Sequence, residues 1–333
     1  MAFGAQILAD SRAPNGRRLT TFEIAFPRYI QAEVNTHTIL SKNSGSSRAI
    51  PVNKMLARLE EDPYYPVYWG SNKKGMQAGA ELEGQVRKAC EVVWRQAMTD
   101  AMGHAKTLRD LGLHKQDANR ILEPWMWQTV IITGTEWDNF FHLRNHPDAH
   151  PAFSTVAAQM QELYEELEPV ELGPGQWHLP LVDTKAVRPE TAAPSTGDFT
   201  QAALIAKELE PELWENNATS AIRRLLIKVS AGRCARVSVL THDGERDLRA
   251  DVGLHDRLLA SGHMSPFQHQ ARPIIESDFD DYALPLLVHH KHLNNIRFKN
   301  PKAPIEDTWC GNYRGWVPYR KTIPGEFDIM GSR

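Results

Sequence analysis

The chain has 333 residues, enough for one large domain or two medium ones, and its 38 lysines and arginines nearly balance 41 aspartates and glutamates. This balance argues against a general nucleic-acid-binding protein, which usually carries a basic excess. No window approaches the roughly 18 consecutive apolar residues of a membrane span, and the N-terminus lacks a signal peptide, so we expect no membrane partner. Three widely separated cysteines indicate neither a disulfide framework nor a zinc site, which favours the cytoplasm.

The apolar pattern predicts mostly helices, with a strand near the N-terminus. Residues 19–30 are rich in β-branched and aromatic types and predict a strand interrupted at Pro27, followed by a helix from Ile30 to about Leu40. Further helices are predicted, in chain order, over 78–102, 115–132 with a break at Pro124, 136–144, 151–167, 201–209, 222–229 after a capping region at 217–220, and 245–260.

The segment from Pro169 to about Thr200 differs in composition from the rest. It is rich in proline and glycine, and only Trp177 to Val182 is typical of a strand. This composition predicts a linker that carries one strand and runs over the surface. The C-terminal part of the chain is rich in loops.

An organised run of small polar side chains follows the first predicted helix. His37 precedes Ser41, Asn43, Ser46 and Arg48. Polar groups this dense need partners when they are buried, and a phosphorylated ligand with several acceptor oxygens would supply them. Arginine holds a phosphate in bidentate fashion, and hydroxyl groups add further donors. The run therefore indicates a phosphate-bearing ligand.

This spacing resembles the signature of the flavin-dependent thymidylate synthases, in which an Arg-His-Arg triplet precedes a serine, an asparagine, a serine and an arginine at these offsets. Three further segments are similar to the same family. They are Ala235-Arg236-Val237-Ser238, Gly262-His263-Met264-Ser265-Pro266-Phe267-Gln268-His269, and Glu136-Trp137-Asp138-Asn139-Phe140-Phe141-His142-Leu143-Arg144. Arg120 also matches an arginine of the family that contacts the nucleotide.

The resemblance implies a role for each matching residue. Arg144 is expected to be the catalytic residue, because a planar and permanently cationic group can polarise a pyrimidine that lies against it. The expected substrate-binding residues are Glu33, Ser46, Arg48, Arg120 and Arg144. The expected cofactor-binding residues are His37, Ser41, Asn43, Asn139, Ser238, His263, Ser265, Arg314 and Arg320.

The resemblance also implies the activity and the fold. The expected reaction converts dUMP, a pyrimidine deoxynucleotide monophosphate, to dTMP with FAD, NADPH and methylenetetrahydrofolate, without a metal or a cysteine nucleophile. The expected fold is α+β, with a mostly antiparallel central sheet flanked by helices, in a homotetramer whose active sites span subunits.

The order of the segments differs from that of the family. The serine turn and the His-Ser-Pro element follow the first motif here, whereas in the family they precede it. We therefore expect one circularly permuted domain, with a nucleotide half at 1–168, a Pro-rich connection at 169–199 and a flavin-contacting half at 200–333. The strand Phe22–Phe26 should then share a sheet with a strand that starts near Phe267.

Several positions depart from the family and leave alternatives open. Arg314 or Arg320 is a candidate to replace missing flavin-binding cations, although both could equally be arginines of a surface loop. Glu33 stands where the family has a glutamine, and a carboxylate suits the amino group of cytosine better than a carbonyl of uracil. The alternatives to dUMP methylation are therefore methylation or hydroxymethylation of dCMP, and a non-catalytic nucleotide-binding relative. The positions that lose a family arginine or asparagine are Thr36, Thr38, Thr133 and Thr135.

Some of these residues also have an interpretation without any ligand. His37 could be a structural histidine, and Arg144 could merely complement the dipole of a helix at its C-terminus. Residues 289–292 contain three histidines, but adjacent histidines around a lysine are more typical of a solvated loop than of a metal site. Cys310 is more typical of a buried thiol than of a nucleophile.

Overall fold

The computed structural model describes residues 3–183, 198–237, 247–279, 304 and 307–323. Ser238, one of the expected cofactor-binding residues, lies outside the described residues, as does the histidine tract 289–292. Within the described ranges, no helix is both long and apolar enough to cross a membrane.

A five-stranded sheet forms the centre of the described chain. Its strands are β1 (Gly4–Arg12), β2 (Arg18–Pro27), β3 (Ser41–Ser44), β4 (Trp127–Gly134) and β5 (Val170–Glu171). The spatial order is β3-β4-β2-β1-β5, and every neighbouring pair is antiparallel except β1 and β5. The predicted α+β class with a mostly antiparallel sheet is therefore confirmed.

Helices surround this sheet. They are α1 (Gln31–Asn35), α2 (Val52–Glu61), α3 (Gly84–Asp110), α4 (Lys115–Ala118), α5 (Asp138–Arg144), α6 (Pro151–Glu166), α7 (Asp198–Leu209), α8 (Pro211–Asn216), α9 (Ala218–Val237) and α10 (Leu248–Ala260). The predictions over 78–102, 136–144, 151–167, 201–209 and 245–260 thus correspond to observed helices. The capping region is also confirmed, because Asn217 Oδ1 accepts a hydrogen bond from the Ser220 backbone N–H at 2.9 Å.

Different helices pack against the two faces of the sheet. On the first face, large apolar side chains of β2 and β4 pack against α5 and α6 in a core that includes Phe22, Ile24, Val130, Ile132, Phe140 and Phe153. On the second face, Ile131 packs against Cys234 and Val237 of α9. Alternation of side chains along a strand explains why successive residues of β4 enter different cores.

The second face also carries a buried series of hydrogen bonds. Thr21 and Thr133 are opposite each other on β2 and β4, and their hydroxyl oxygens lie 2.8 Å apart. Thr21 Oγ1 lies 2.7 Å from His178 Nε2, His178 Nδ1 lies 2.9 Å from Ser11 Oγ, and Thr133 Oγ1 lies 2.8 Å from His269 Nδ1. The series joins the sheet to two segments that are distant in sequence.

Two further packing units complete the described chain. α2 and α3 pack against each other and against the segment that precedes β4. α7, α9 and α10 form a second bundle, in which Gly232 is so close to α10 that a Cβ atom there would lie 2.4 Å from the Asp251 carbonyl oxygen. Buried ion pairs hold this bundle together: Arg233 contacts Asp198 at 2.6 Å and Asp251 at 2.9 Å.

The helix predicted over residues 115–132 is wrong. The chain forms the four-residue α4, a 3-10 helix over Asn119–Trp125 and then the central strand β4. A buried apolar run is compatible with either a helix or a strand, and the β-branched residues from Thr129 to Thr133 favour the strand. The helix predicted from Ile30 to Leu40 is also too long, since α1 ends at Asn35.

The serine turn predicted at residues 235–238 is wrong over its described part. Residues 235–237 are the last turn of α9, and Arg236 Nε donates to Asp251 Oδ1 at 2.7 Å. On the long helix α3, the apolar side chains of Val86 and Val93 are 59% and 68% exposed. Trp94, Met98 and Met102 occupy the buried face instead.

The strand pairing expected from a circular permutation is also wrong. Residues 265–268 form a 3-10 helix, and the strand β6 (Ala271–Pro273) pairs with β9 (Trp316–Pro318), outside the five-stranded sheet. Between them in sequence, β7 (Trp309–Cys310) and β8 (Tyr313–Arg314) form a two-stranded sheet. The Pro-rich segment does not stay on the surface, because residues 178–180 are buried.

Candidate functional site

Arg144, at the C-terminal end of α5, lies at the centre of a polar cluster with α1 and the residues that follow it. Its Nε donates to His37 Nε2 at 2.7 Å and its Nη2 donates to Thr36 Oγ1 at 3.0 Å. Its Nη1 lies 3.9 Å from a carboxylate oxygen of Glu33, and its guanidinium lies 4.8 Å from the centre of the Phe153 ring. The structure thus brings Glu33, His37 and Arg144 into one cluster.

The contact with Arg144 fixes the protonation of His37. A guanidinium can only donate, so His37 Nε2 must be the acceptor and the imidazole is neutral with its proton on Nδ1. Burial, together with the nearby charges of Arg144 and Lys42, lowers the pKa of His37 to about 4. His37 packs edge-on against Phe140, with ring centres 4.9 Å apart. It is therefore a buried, neutral support for Arg144.

Arg144 retains donors for a ligand. A guanidinium has five N–H groups, and the hydrogen bonds to His37 and Thr36 use two of them. The side chain is 20% exposed, so its outer edge reaches solvent. Glu33 is also partly exposed beside it. The arrangement offers donors and one carboxylate acceptor side by side.

Arg120, one of the residues expected to bind a phosphate, belongs to a second cluster, which joins the loop after β3 to the 3-10 helix Asn119–Trp125. Arg48 is exposed and makes no ion pair with another described residue. Arg120 Nη1 donates to Glu123 Oε1 at 2.7 Å, and Ser47 Oγ donates to the same oxygen at 3.0 Å. Arg28 Nε lies 2.8 Å from this oxygen as well. This cluster is held together by one carboxylate.

Glu123 remains charged despite its partial burial. Burial raises the pKa of its carboxyl, but the nearby Arg28, together with Arg120 and Ser47, more than compensates and leaves that pKa below its usual value. The buried Asn119 holds the loop after β3 in place, because its side chain donates to the backbone oxygens of Ser47 and Ile50 at 2.7 and 2.9 Å. The loop is therefore ordered before any ligand binds.

Ser41 and Asn43 do not face a ligand. Both are buried in β3, where Asn43 Nδ2 donates to the Cys234 carbonyl oxygen of α9 at 2.7 Å. Ser41 Oγ accepts a long hydrogen bond of 3.4 Å from Asn312 Nδ2. These two side chains bind the sheet to the second half of the chain, so their expected role as direct cofactor ligands does not fit the structure.

The other expected cofactor residues are dispersed. Asn139 and His263 are exposed, and Ser265 is half-buried. The backbone N–H of Arg314 donates to Thr135 Oγ1 at 3.2 Å, and its guanidinium contacts Asp307 at 2.6 Å and Glu136 at 3.6 Å. Arg320 is half-buried in the 3-10 helix Tyr319–Thr322. Arg314 thus lies at one position where the family has an arginine, but acidic partners already engage it.

Three residues of the second cluster were missed by the sequence prediction: Arg28, Ser47 and Glu123. Arg28 follows the end of β2, and a lone arginine at that point carries no sequence signal for a ligand. Ser47 lies between two residues that were identified, Ser46 and Arg48, so composition alone could have included it. Glu123 could be found only from the fold. A phosphate site is expected to contain basic and hydroxyl side chains, and an acidic residue beside them contradicts that expectation.

The chain was compared with known proteins. Residues 19–170 match the family described as thymidylate synthase complementing protein. Among solved structures, a UMP/dUMP methylase PolB from Streptomyces cacaoi bound with 5-Br dUMP has 17% identity and a TM-score of 0.37, with 45% of this chain and 68% of that chain covered. The same enzyme bound with 5-Br UMP has 15% identity and a TM-score of 0.40, over 50% of this chain and 90% of that chain. These scores are too low to define the fold. No curated protein matches the chain.

Proposed function

Because the segment from residue 19 to residue 170 belongs to the thymidylate synthase complementing protein family, we propose that the protein methylates C5 of a pyrimidine nucleotide. The observation that supports this proposal is the cluster in which His37 and Thr36 orient the guanidinium of Arg144. An arginine held by two side chains, with donors left over, suits a planar ring that bears carbonyl oxygens.

The chemistry needs a cation at this place. C5 of a pyrimidine is a poor nucleophile until negative charge builds up on the carbonyl side of the ring. A guanidinium is a cation, and Arg144 can stabilise the negative charge with its remaining N–H groups. His37 contributes as a positioning residue, since it fixes the plane of the guanidinium without adding a second charge. The nucleotide phosphate is assigned to Ser46, Arg48 and Arg120.

The family implies FAD, with NADPH as reductant and methylenetetrahydrofolate as carbon donor, and FAD would supply the hydride. The residues expected to hold FAD do not fit one site within a single chain, because Ser41 and Asn43 are used in buried contacts. Asn139 and His263 are exposed and therefore accessible to a flavin. A flavin that contacts them takes its remaining contacts from another copy of the chain, in keeping with a homotetramer.

A circular permutation also stays a proposal. It is supported by contacts between the two halves on the second face of the sheet, namely Asn43 with Cys234 and Thr133 with His269. These contacts bring the His-Ser-Pro element next to the motif strand β3, although not by the strand pairing that was expected.

The proposal is tested with purified protein and a panel of dUMP, UMP and dCMP. We expect added FAD to bind, which is seen as a flavin absorption band at about 450 nm. We also expect the protein to transfer carbon from methylenetetrahydrofolate to a nucleotide in the presence of NADPH. Folded protein that transfers no carbon to any of these nucleotides contradicts the proposal. If it binds nucleotide but no flavin, it is a non-catalytic relative.

A second candidate substrate is dCMP, and Glu33 favours it. The Glu33 carboxylate accepts hydrogen bonds and lies beside Arg144, so together they match a ring that has an amino group next to a carbonyl group. In the same panel, Glu33→Gln should shift the preference from dCMP towards dUMP. An unchanged preference would remove Glu33 from base recognition.

A further inference from the structure

The carboxylate of Glu123 occupies the position where several donors of the second cluster converge. Its Oε1 atom lies 2.7 Å from Arg120 Nη1, 3.0 Å from Ser47 Oγ and 2.8 Å from Arg28 Nε. Guanidinium groups and a hydroxyl gathered around one anionic oxygen are the type of donor set that proteins use to hold a phosphate. The carboxylate therefore stands where a phosphate oxygen would fit.

Arg28 is only partly satisfied by this carboxylate. Although its Nε lies 2.8 Å from Oε1, the N–H does not point at that oxygen, and within the described residues this buried nitrogen has no hydrogen-bond acceptor. The other side of the guanidinium is fixed, because Nη1 donates to Gln128 Oε1 and to the Gly45 carbonyl oxygen. A buried donor without an acceptor is unfavourable, so an acceptor that approaches from a better direction is favoured.

The three charged members differ in their freedom to move. The side chain of Arg28 is 13% exposed, whereas those of Glu123 and Arg120 are 27% and 49% exposed. Arg28 is thus a fixed part of the cluster, and Glu123 is able to turn outwards towards solvent. Arg48, next to Ser47, adds a cation that no described acid neutralises. When Glu123 leaves, the cluster offers Arg28 and Arg120 to a dianion, and Arg48 follows Ser47 in the adjoining loop.

We propose that Glu123 is an internal competitor of the nucleotide phosphate, and that Arg28 is a phosphate-binding residue which becomes available when Glu123 is displaced. This rests on the proposed function, which assigns the phosphate to Ser46, Arg48 and Arg120. Glu123 would then set the affinity for phosphorylated ligands: a nucleoside without a phosphate does not need to displace it and is insensitive to its charge.

The test compares binding of dUMP and deoxyuridine to the full chain and to Glu123→Gln by calorimetry. The substitution keeps the shape of the side chain and removes its charge, so dUMP should bind at least about tenfold more tightly, while deoxyuridine binds with unchanged affinity. Glu81→Gln is the matched control, because it also removes a carboxylate paired with an arginine, Arg87 at 3.0 Å, and its side chain is 38% exposed. It should change neither affinity.

Two further variants separate the possible outcomes. Arg28→Gln combined with Glu123→Gln should lose the gain in dUMP affinity. Glu123→Asp, which withdraws the carboxylate but keeps its charge, should give an intermediate gain and covers the case in which Glu123→Gln does not fold. Equal or weaker binding of dUMP by folded Glu123→Gln overturns the proposal. If no nucleotide binds to any form, the proposed function fails. Binding of inorganic phosphate to the wild type and to Glu123→Gln, followed by phosphorus NMR, then tests Glu123 without any nucleotide. Equal binding of phosphate to these two proteins overturns the proposed role of Glu123.

Discussion

The two buried histidines on the second face of the sheet predict a loss of stability in acid. Burial lowers the pKa of His178 to about 3, with a smaller effect in the same direction from His269, and burial alone lowers the pKa of His269 to about 3. Both side chains are at most 1% exposed, so solvent does not screen this effect. In the unfolded chain each has its ordinary value of 6.5.

The sign follows from proton binding. Below pH 6.5 the unfolded chain binds protons at both positions and the folded chain does not, so the free energy of unfolding falls as the pH falls from 6.5 towards 3. At pH 5 each histidine removes about 2 kcal/mol relative to pH 8, since pH 5 lies about 1.5 units below the pKa of the unfolded chain and each unit corresponds to about 1.36 kcal/mol. Together they remove about 4 kcal/mol, a large part of the stability of a typical domain, about 5–15 kcal/mol.

The measurement is urea unfolding at pH 8 and pH 5, for the wild type and for His269→Asn. Asparagine can still bond Thr133 through the atom that replaces Nδ1, but it does not titrate. We expect the wild type to lose about 4 kcal/mol from these two groups, and His269→Asn to lose about 2 kcal/mol less than the wild type does. The cost of the substitution itself cancels, because it is the same at both pH values.

A matched control is His104→Asn on α3, where the histidine is exposed. This variant should lose as much stability between pH 8 and pH 5 as the wild type. If His269→Asn and the wild type show the same loss, His269 is not held neutral in the folded chain and the reasoning from its burial is wrong.

Three further predictions concern other parts of the molecule. Arg144→Ala should lower kcat/KM for carbon transfer by about 10²–10³-fold, equivalent to about 2.7–4 kcal/mol, with an unchanged thermal unfolding midpoint. Near-normal activity of this variant would show that the catalytic site lies elsewhere. Cys310→Ala should retain carbon transfer in the same assay, because this thiol is 1% exposed, and a covalent nucleotide adduct lost in this variant would contradict the expected mechanism. Arg233→Met should destabilise the chain by about 3–5 kcal/mol in urea unfolding, because it removes the cation shared by the buried carboxylates of Asp198 and Asp251 and leaves Asp251 with Arg236 alone. A loss below about 1 kcal/mol would count against this ion-pair network.

Helices with one apolar face were predictable from the sequence, and residues that depend on a neighbour in space were not. α6 was predicted almost to its ends because its apolar residues recur along one face only. β4 was taken for a helix because a strand buried on both faces has no alternation to reveal it. α3 has apolar side chains on two faces, and the sequence cannot say which face is covered.

The candidate site shows the same division. Glu33, His37 and Arg144 were identified from the motif, and the structure brings them together. The motif did not reveal that Asn43 binds α9 instead of a ligand, because its partner is a backbone oxygen 191 residues away. Glu123 was missed for the same reason, because α2 and α3 separate it in the sequence from its partner Arg28.

The segments that pack on the second face of the sheet follow the sheet in the sequence, and the ribosome therefore synthesises them later. β1 to β5 are complete once residue 171 has emerged, but Tyr313, whose hydroxyl donates to the backbone oxygen of Gln268 next to His269, follows 142 residues later. At about 5–20 residues per second, the second face waits roughly 7–28 s for that last segment. The hydroxyl groups of Thr21, Thr133 and Ser41 lie across this face, and water can solvate them during the delay. A nascent sheet whose second face carries this row of hydroxyl groups presents less apolar surface to other chains than a fully apolar face would.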